Sequence, residues 1–194
     1  MDRHVMVAIA SALMVGGGVN ACTATMDDAS AAQGAGAASV PAGASTAAAE
    51  LRDKDGAAKG RATAQAMGDG IHVTAKLENV APGTYAVHVH TVGTCTPPDF
   101  ASAGPHWNPE SKQHGKDNPA GPHKGDLPNV TIGADGRGTV SSHLTGVTLT
   151  GGSNALLDAD GAAVVLHAGV DDYRTDPTGN AGGRVACGVF SAGS

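Results

Sequence analysis

Seven side chains of the kinds that bind metal ions recur in the middle and later parts of this sequence. They are six histidines and one aspartate: His88, His90, His106, His114, His123, Asp126 and His167. Imidazole nitrogens bind both copper and zinc, and a carboxylate oxygen is a further ligand for zinc. The set fits two metal ions that share one histidine.

The first two of these histidines form an H-x-H pattern in residues 85–90, which read YAVHVH. Side chains alternate between the two faces of a β-strand, so His88 and His90 would share one face. Val87 and Val89 would share the other face and pack inward. An H-x-H pattern alone is equally typical of two polar residues on a solvated strand face, and it is the company of the other ligands that favours a metal site.

Strand patterns that could position these ligands run from about residue 49 onward. Turn-forming Gly, Asp and Asn separate runs rich in β-branched residues, and no stretch of helical period interrupts them. The predicted strands are residues 60–67, 70–80, 84–92, 130–132, 138–144, 162–167 and 184–190. We therefore predict an all-β domain, a Greek-key antiparallel β-sandwich or flattened barrel of about eight strands.

Two connections break the regular spacing of the predicted strands. Residues 93–129 contain seven of the ten prolines and four of the seven candidate ligands, and residues 168–183 are rich in Gly and Asp. Loops of this length in a compact domain are usually functional or held by something other than their own core. We expect both loops to be functional.

The N-terminal residues predict an exported protein. Residues 1–21 have the features of a signal peptide, with an apolar run at 5–15 that is too short to span a bilayer. Residues 19–22 resemble the cleavage box of bacterial lipoproteins, which would make Cys22 the lipidated first residue of the mature chain; simple secretion with cleavage nearby is the alternative. Residues 23–48 predict a flexible Ala/Gly/Ser linker, followed by a domain at 49–194.

Export also bears on the two remaining cysteines. With Cys22 set aside as an acylation site, Cys95 and Cys187 remain in a compartment where disulfides persist. A Cys95–Cys187 bridge is the simplest pairing, and two buried free thiols are the alternative.

Charge and composition narrow the function classes. The chain of 194 residues has 15% charged and 41% hydrophobic residues, which is ordinary for a globular domain. Its formal net charge of −6 argues against a nucleic-acid partner.

The segments after His90 resemble, in order, those of the copper/zinc superoxide dismutase family. The matching pieces are Cys95, GPHWNP at 104–109, HG at 114–115, PHKGDLPN at 122–129, His167, the Asp pair at 171–172, and GNAGGRVACGV at 179–189. The resemblance covers roughly residues 50–190. It implies the family's fold, with residues 168–183 as its electrostatic loop.

The resemblance also implies a ligand set for each metal. Copper would be held by His88, His90, His106 and His167. Zinc would be held by His106, His114, His123 and Asp126. His106 would bridge the two metals through its two nitrogens, and the chemistry agrees because a carboxylate suits zinc better than a copper ion that must cycle.

Three more roles follow from the resemblance. Asp171 would link a copper histidine to a zinc histidine through their outer nitrogens. Arg184 would attract the anionic substrate next to copper, and the Cys95–Cys187 bridge would attach the long loop to the last strand. The histidines left over are His4 in the signal peptide and His72 and His143, which we interpret as solvated strand positions.

The activity implied by the resemblance is disproportionation of superoxide to dioxygen and hydrogen peroxide, with copper cycling between Cu(II) and Cu(I). Catalysis would depend on Arg184 and His106. A non-enzymatic copper/zinc-binding envelope lipoprotein of the same fold is the alternative. We expect the periplasm or cell envelope as the location, membrane attachment through lipid on Cys22, and either a monomer or a homodimer.

Overall fold

The computed structural model describes residues 43–193, so the predicted signal peptide, Cys22 and most of the predicted linker lie outside the described part. Within that part, no helix has the length and hydrophobicity needed to cross a bilayer.

The described residues form twelve strands and one short 3-10 helix, Ala101–Ala103. The strands are β1 (Thr46–Asp53), β2 (Ala58–Met67), β3 (Gly70–Leu77), β4 (Gly83–Tyr85), β5 (Val87–His90), β6 (Val130–Ile132), β7 (Gly138–Thr145), β8 (Thr148–Thr150), β9 (Ala155–Leu157), β10 (Ala163–His167), β11 (Arg184–Val189) and β12 (Ser191–Ala192).

Eight of these strands form one curled antiparallel sheet in the order β5-β10-β11-β1-β2-β3-β7, with β12 paired to the start of β1. Two small pairs lie outside it: β4 with β6 is antiparallel, and β8 with β9 is parallel. The predicted all-β antiparallel architecture is confirmed, and the two long connections occur where the sequence predicted them.

Three differences from the predicted strands have clear causes. β1 begins at Thr46, inside the range predicted as linker. This strand was not predicted because its Ala-rich start resembles the Ala-rich segment before it. Alternate burial of Ala47, Ala49 and Leu51 shows that small side chains suffice there. The predicted strand at 84–92 is divided into β4 and β5 at Ala86, and β8 and β9 are too short for a periodic signal.

The main core fills the inside of the curled sheet. Strands from its two edges contribute to one apolar cluster, with Val87 and Val89 from β5 and Val140 from β7. This confirms that the apolar face of the H-x-H strand packs inward. Burial of these β-branched side chains fixes which face of β5 is left for its histidines.

The other face of β5, β10 and β11 is covered by the first long connection. Phe100 and Ala103 of that connection pack on Ala163, Val165 and Cys187. Val165 lies opposite both His88 and Cys187 in the sheet register, so the histidines, the disulfide and this small cluster share one face. The sheet therefore presents the candidate ligands beneath a loop instead of to solvent.

Candidate metal centre

Two neighbouring strands supply three of the candidate ligands. His88 and His90 lie on β5, and His167 ends β10, which pairs with β5 in antiparallel register. All three side chains are buried, at 0%, 1% and 3% exposure respectively. A solvated strand face, the alternative interpretation of the H-x-H pattern, is therefore wrong for this strand.

The first long connection is held in the register of β5 at two points. The Val89 N–H donates to the Gly125 carbonyl at 2.9 Å, and the Trp107 N–H donates to the Val89 carbonyl at 2.8 Å. These bonds form isolated β-bridges that place His106 beside His90 and Asp126 beside His88. Backbone pairing to one central residue thus brings two loop ligands to the strand ligands.

One group of four ring nitrogens converges within 4.8 Å, from His88, His90, His106 and His167. His90 Nδ1 donates to the Gly104 carbonyl at 2.8 Å and His167 Nδ1 lies 3.4 Å from the Gly182 carbonyl. Their Nε2 atoms therefore carry lone pairs, and these face each other at 3.3 Å. Two facing lone pairs call for a cation between them.

A second group forms around the Asp126 carboxylate. Asp126 Oδ1 lies 2.9 Å from His106 Nδ1, 3.0 Å from His114 Nδ1 and 3.2 Å from His123 Nδ1. Asp126 Oδ2 accepts the backbone N–H groups of Gly115 and His123 at 2.9 and 3.0 Å. The carboxylate thus orders the loop with one oxygen and faces three imidazoles with the other.

Membership of this second group differs in one respect from the predicted zinc set. The four residues whose ligand atoms all lie within 4.8 Å are His88, His106, His114 and Asp126. His123 lies at the edge, next to Asp126, although its side chain is only 7% exposed. His88 and His106 belong to both groups, whereas the resemblance gave His106 alone as the shared residue.

Three buried nitrogens in the two groups have no hydrogen-bond partner: His88 Nδ1, His106 Nε2 and His114 Nδ1. The last of these lies near Asp126 Oδ1 but without the alignment of a hydrogen bond. Unpaired buried polar atoms are destabilising, at roughly 1–3 kcal/mol each, unless something else satisfies them. Two metal ions on these donors fit the geometry, because each unpaired nitrogen points into one of the two groups.

Asp171 connects the two groups from behind. Its Oδ2 accepts from His88 Nε2 and its Oδ1 accepts from His114 Nε2, both at 2.8 Å. A carboxylate on the outer nitrogen fixes the tautomer and orients the ring, so the inner nitrogen is presented as a lone pair.

Asn129 is a supporting residue to which sequence reasoning gave no role. Its side chain accepts the Asp171 N–H at 2.9 Å and donates to the Asp171 carbonyl at 2.9 Å. This pair of bonds joins the end of the first connection to the second. The only sequence signal was the position of Asn129 at the end of the PHKGDLPN motif.

Burial and hydrogen bonding give the candidate ligands different pKa values and therefore different charges at neutral pH. Burial lowers the pKa of His90 to about 2, of His167 to about 3 and of His106 to about 4. These rings are neutral at pH 7 and carry lone pairs for a metal. Burial opposes protonation of His114 as well, but the neighbouring carboxylates of Asp126 and Asp171 outweigh it and raise the pKa of His114 to about 9, so a metal on Nδ1 would displace a proton.

Asp126 is the negative counterpart of these rings. Burial would raise the pKa of the Asp126 carboxyl, but the three imidazoles against its Oδ1, those of His106, His114 and His123, outweigh burial and hold it well below its ordinary value. The second group therefore contains a carboxylate at neutral pH, which distinguishes it from the all-imidazole first group.

Arg184 stands at the opening of the first group. Its Nη1 donates to the Phe100 carbonyl at 2.6 Å and its Nη2 donates to the Gly104 carbonyl at 2.7 Å. Gly104 also accepts from His90, so one carbonyl aligns the guanidinium with a ligand. A cavity of about 1000 Å³ exposes His90, His106, His167 and Arg184 on its wall.

A disulfide joins Cys95 to Cys187, with Cα atoms 5.7 Å apart, so the predicted bridge is confirmed. It attaches the segment that carries the Phe100 and Gly104 carbonyls to β11, the strand that begins at Arg184. The bond therefore holds the guanidinium and its two acceptors in one unit.

Comparison with known proteins gives a consistent picture. Residues 56–190 match the family model for copper/zinc superoxide dismutase. The chain is 42% identical over 143 residues to superoxide dismutase [Cu-Zn] 1 of Aquifex aeolicus, covering 73% of this chain and 85% of that protein. It is 43% identical over 148 residues to the Caulobacter vibrioides superoxide dismutase [Cu-Zn], covering 75% and 85% respectively.

A solved structure of related sequence has a similar fold. The crystal structure of a superoxide dismutase-like protein from Bacillus subtilis superposes with a TM-score of 0.69 at 37% identity, covering 73% of this chain and 96% of that one.

Proposed function

Because the chain belongs to the copper/zinc superoxide dismutase family, we propose that it disproportionates superoxide into dioxygen and hydrogen peroxide with copper and zinc as cofactors. The observation that carries this proposal is the convergence of two ligand groups on His106 beside a cavity that also exposes Arg184.

The ring nitrogens that face each group suggest which atoms would hold each metal. Copper would take the all-imidazole group: His88 Nδ1, His90 Nε2, His106 Nε2 and His167 Nε2. Zinc would take the group around the carboxylate: Asp126 Oδ1 and the Nδ1 atoms of His106, His114 and His123. Bound copper supplies one-electron redox chemistry, which zinc cannot.

In this assignment each histidine ring would give at most one nitrogen to each metal. His88 belongs to both groups, but Asp171 occupies its Nε2, so a single nitrogen remains for one metal, which the family resemblance assigns to copper. His106 alone has both nitrogens directed at the two groups. Its Nε2 has no other partner in the protein, so it is available to a copper ion beside the cavity.

Arg184 supplies the fixed positive charge for a small anion. Burial lowers the pKa of its guanidinium below the ordinary value for arginine, and the opposing charge of Asp99 partly offsets this. Two of its nitrogens are held by carbonyls, which fixes the plane of the group toward the cavity. An anion such as superoxide is attracted there although the net charge of the chain is negative.

Among the lysines of the first connection, only Lys112 lines this cavity. Lys116 is paired with Asp117 at 3.0 Å and Lys124 with Glu110 at 2.9 Å, and both line a different cavity. Lys112 is thus the lysine placed to add to the attraction of Arg184 for an anion.

The cellular setting is a separate part of the proposal. The disulfide fits an oxidising compartment such as the periplasm. Lipidation of Cys22, which would anchor the protein to a membrane, rests on the sequence, and mass spectrometry of the mature N-terminus tests it. A homodimer is likewise an expectation that sedimentation of the loaded protein tests.

The deciding experiment measures superoxide dismutation by the full chain loaded with copper and zinc, beside a zinc-only sample and an Arg184→Ala variant. We expect turnover that requires copper and falls at least about tenfold without the guanidinium. Arg137→Ala, which removes an exposed arginine paired with Glu78, is the matched control and should leave turnover unchanged. Two metals bound per chain with no turnover would instead identify a non-enzymatic metal-binding protein.

A further inference from the structure

Two histidines outside the buried centre face each other across the sheet. His72 on β3 and His143 on β7 are direct partners in the antiparallel register. Their rings lie nearly parallel, with centroids 6.4 Å apart and 25° between the planes. The sequence analysis interpreted them as separate solvated positions, because the 70 residues between them conceal the pairing.

An aspartate already holds one of these rings. His143 Nε2 lies 2.9 Å from Asp69 Oδ1, which belongs to the turn between β2 and β3. An ionised carboxylate can only accept, so Nε2 donates and His143 Nδ1 carries a lone pair. A carboxylate on the outer nitrogen is the usual support of a metal-binding histidine.

The surroundings leave both rings accessible. The His143 side chain is 38% exposed, and His72 is half-buried. The next pair on the same face is Thr74 with Ser141, which is uncharged, so no cation adjoins the rings along β3 and β7 in that direction. Imidazole lone pairs lie in the ring plane, so the two nearly parallel rings must change side-chain rotamer before one nitrogen of each can meet at a single ion. Directly opposite residues of adjacent strands have Cβ atoms about 4.5–5.5 Å apart, which is close enough for such rotamers to share an ion.

We propose that His72 and His143 form a third metal site, exposed on the β3–β7 face, for a borderline divalent ion such as Zn²⁺ or Cu²⁺. Two imidazoles on adjacent strands chelate the ion, and water completes its coordination. Asp69 is a positioning residue that orients His143. The site shares no ligand with the buried centre, although His143, His123 and Asp126 line one cavity of about 320 Å³.

The test uses the full chain with copper and zinc already in the buried centre. Calorimetric titration with Zn²⁺ alone, and separately with Cu²⁺ alone, should show one additional ion per chain, with Cu²⁺ binding more tightly.

Variants identify the site. His72→Ala and His143→Ala should each weaken the additional binding at least about tenfold, and Asp69→Asn should weaken it less. His72→Gln and His143→Gln repeat the test with larger side chains should an alanine variant fold poorly. Ser141→Ala, on the same face, is the control and should bind like the wild type, with unchanged dismutation in every variant.

Two results would overturn the proposal. One is a loaded chain that takes up no further Zn²⁺ or Cu²⁺. The other is additional binding that persists at wild-type strength in both His72→Ala and His143→Ala.

Discussion

Three of the candidate ligands lie on β-strands and four lie on the first long connection, and the two sets are held in place by different interactions. His88, His90 and His167 stand on β5 and β10, where the ladder hydrogen bonds and the apolar core behind the strands fix the direction of every side chain. The other four come from one loop of mixed turns, in which local backbone preference fixes little.

The loop compensates with specific links. Its residues Trp107 and Gly125 pair with Val89. Asp126 accepts two of its backbone N–H groups, and Asp171 reaches across from the second connection. The disulfide adds a covalent link to β11. Strand ligands are therefore placed by the fold itself, whereas loop ligands depend on a few interactions that can be removed one at a time.

The largest expected effect is the loss of activity on replacing a ligand of the copper group, compared with replacing a ligand of the zinc group. His90→Gln, on a strand, should lower dismutation by at least about 1,000-fold, the order expected when a group at the reacting centre is lost. His123→Gln, on the loop, should release zinc but leave copper bound and a measurable fraction of the activity. Metal analysis with dismutation kinetics checks both, and equal losses in the two variants would contradict the division.

Removing the covalent link should mainly affect stability. The bridge joins residues 92 positions apart, and a chain-entropy estimate for such a loop gives about 4 kcal/mol as an upper figure. Cys95→Ser with Cys187→Ser should lower the free energy of unfolding by up to that amount. Denaturant unfolding of the loaded protein measures it, and an unchanged midpoint would show that the metals alone hold the loop.

A glycine in the second connection tests the Asp171 link. Gly179 has φ +65°, and a Cβ there would overlap Asp171 Oδ1 and His114 Nε2. Gly179→Ala should push these two groups apart and weaken zinc binding by about 10–100-fold. Gly183→Ala in the same connection, where a Cβ meets nothing within 4 Å, is the control. Competition with a chelator gives both affinities.

The smallest effect concerns attraction of the substrate. Lys112→Ala should lower kcat/KM about two- to threefold at low ionic strength and have little effect at high salt, because screening removes long-range attraction. Lys124→Ala, whose ammonium is paired with Glu110, should change little in either condition. Equal effects of the two variants would show that Lys112 has no special position.

Local pattern was enough for much of the fold. Alternation in residues 85–90 gave the inward face of Val87 and Val89, and turn residues marked most of the strands. β1 was hidden because Ala-rich sequence is typical of both a linker and a tightly packed strand. Burial against neighbouring strands decides between these, and local sequence does not contain that information.

The candidate site was predictable to a similar degree. Ligand types and their order along the chain pointed to two metals that share one histidine, the family resemblance identified that residue as His106, and cysteine parity pointed to the bridge. The choice of nitrogen on each ring was not predictable, because it depends on distant acceptors such as the Gly104 carbonyl and Asp171. The role of Asn129 was missed for the same reason.

The sequence by itself determined which donors are present, their spacing on β5 and the apolar face that orients that strand. These properties follow from side-chain chemistry and the two-residue period of a strand. Tertiary structure alone decided that Val89 pairs with two distant residues of the first long connection. It also decided that Asp171 connects His88 with His114 and that His72 faces His143. Each depends on the hydrogen-bonded register of segments far apart in the chain, which no local pattern specifies.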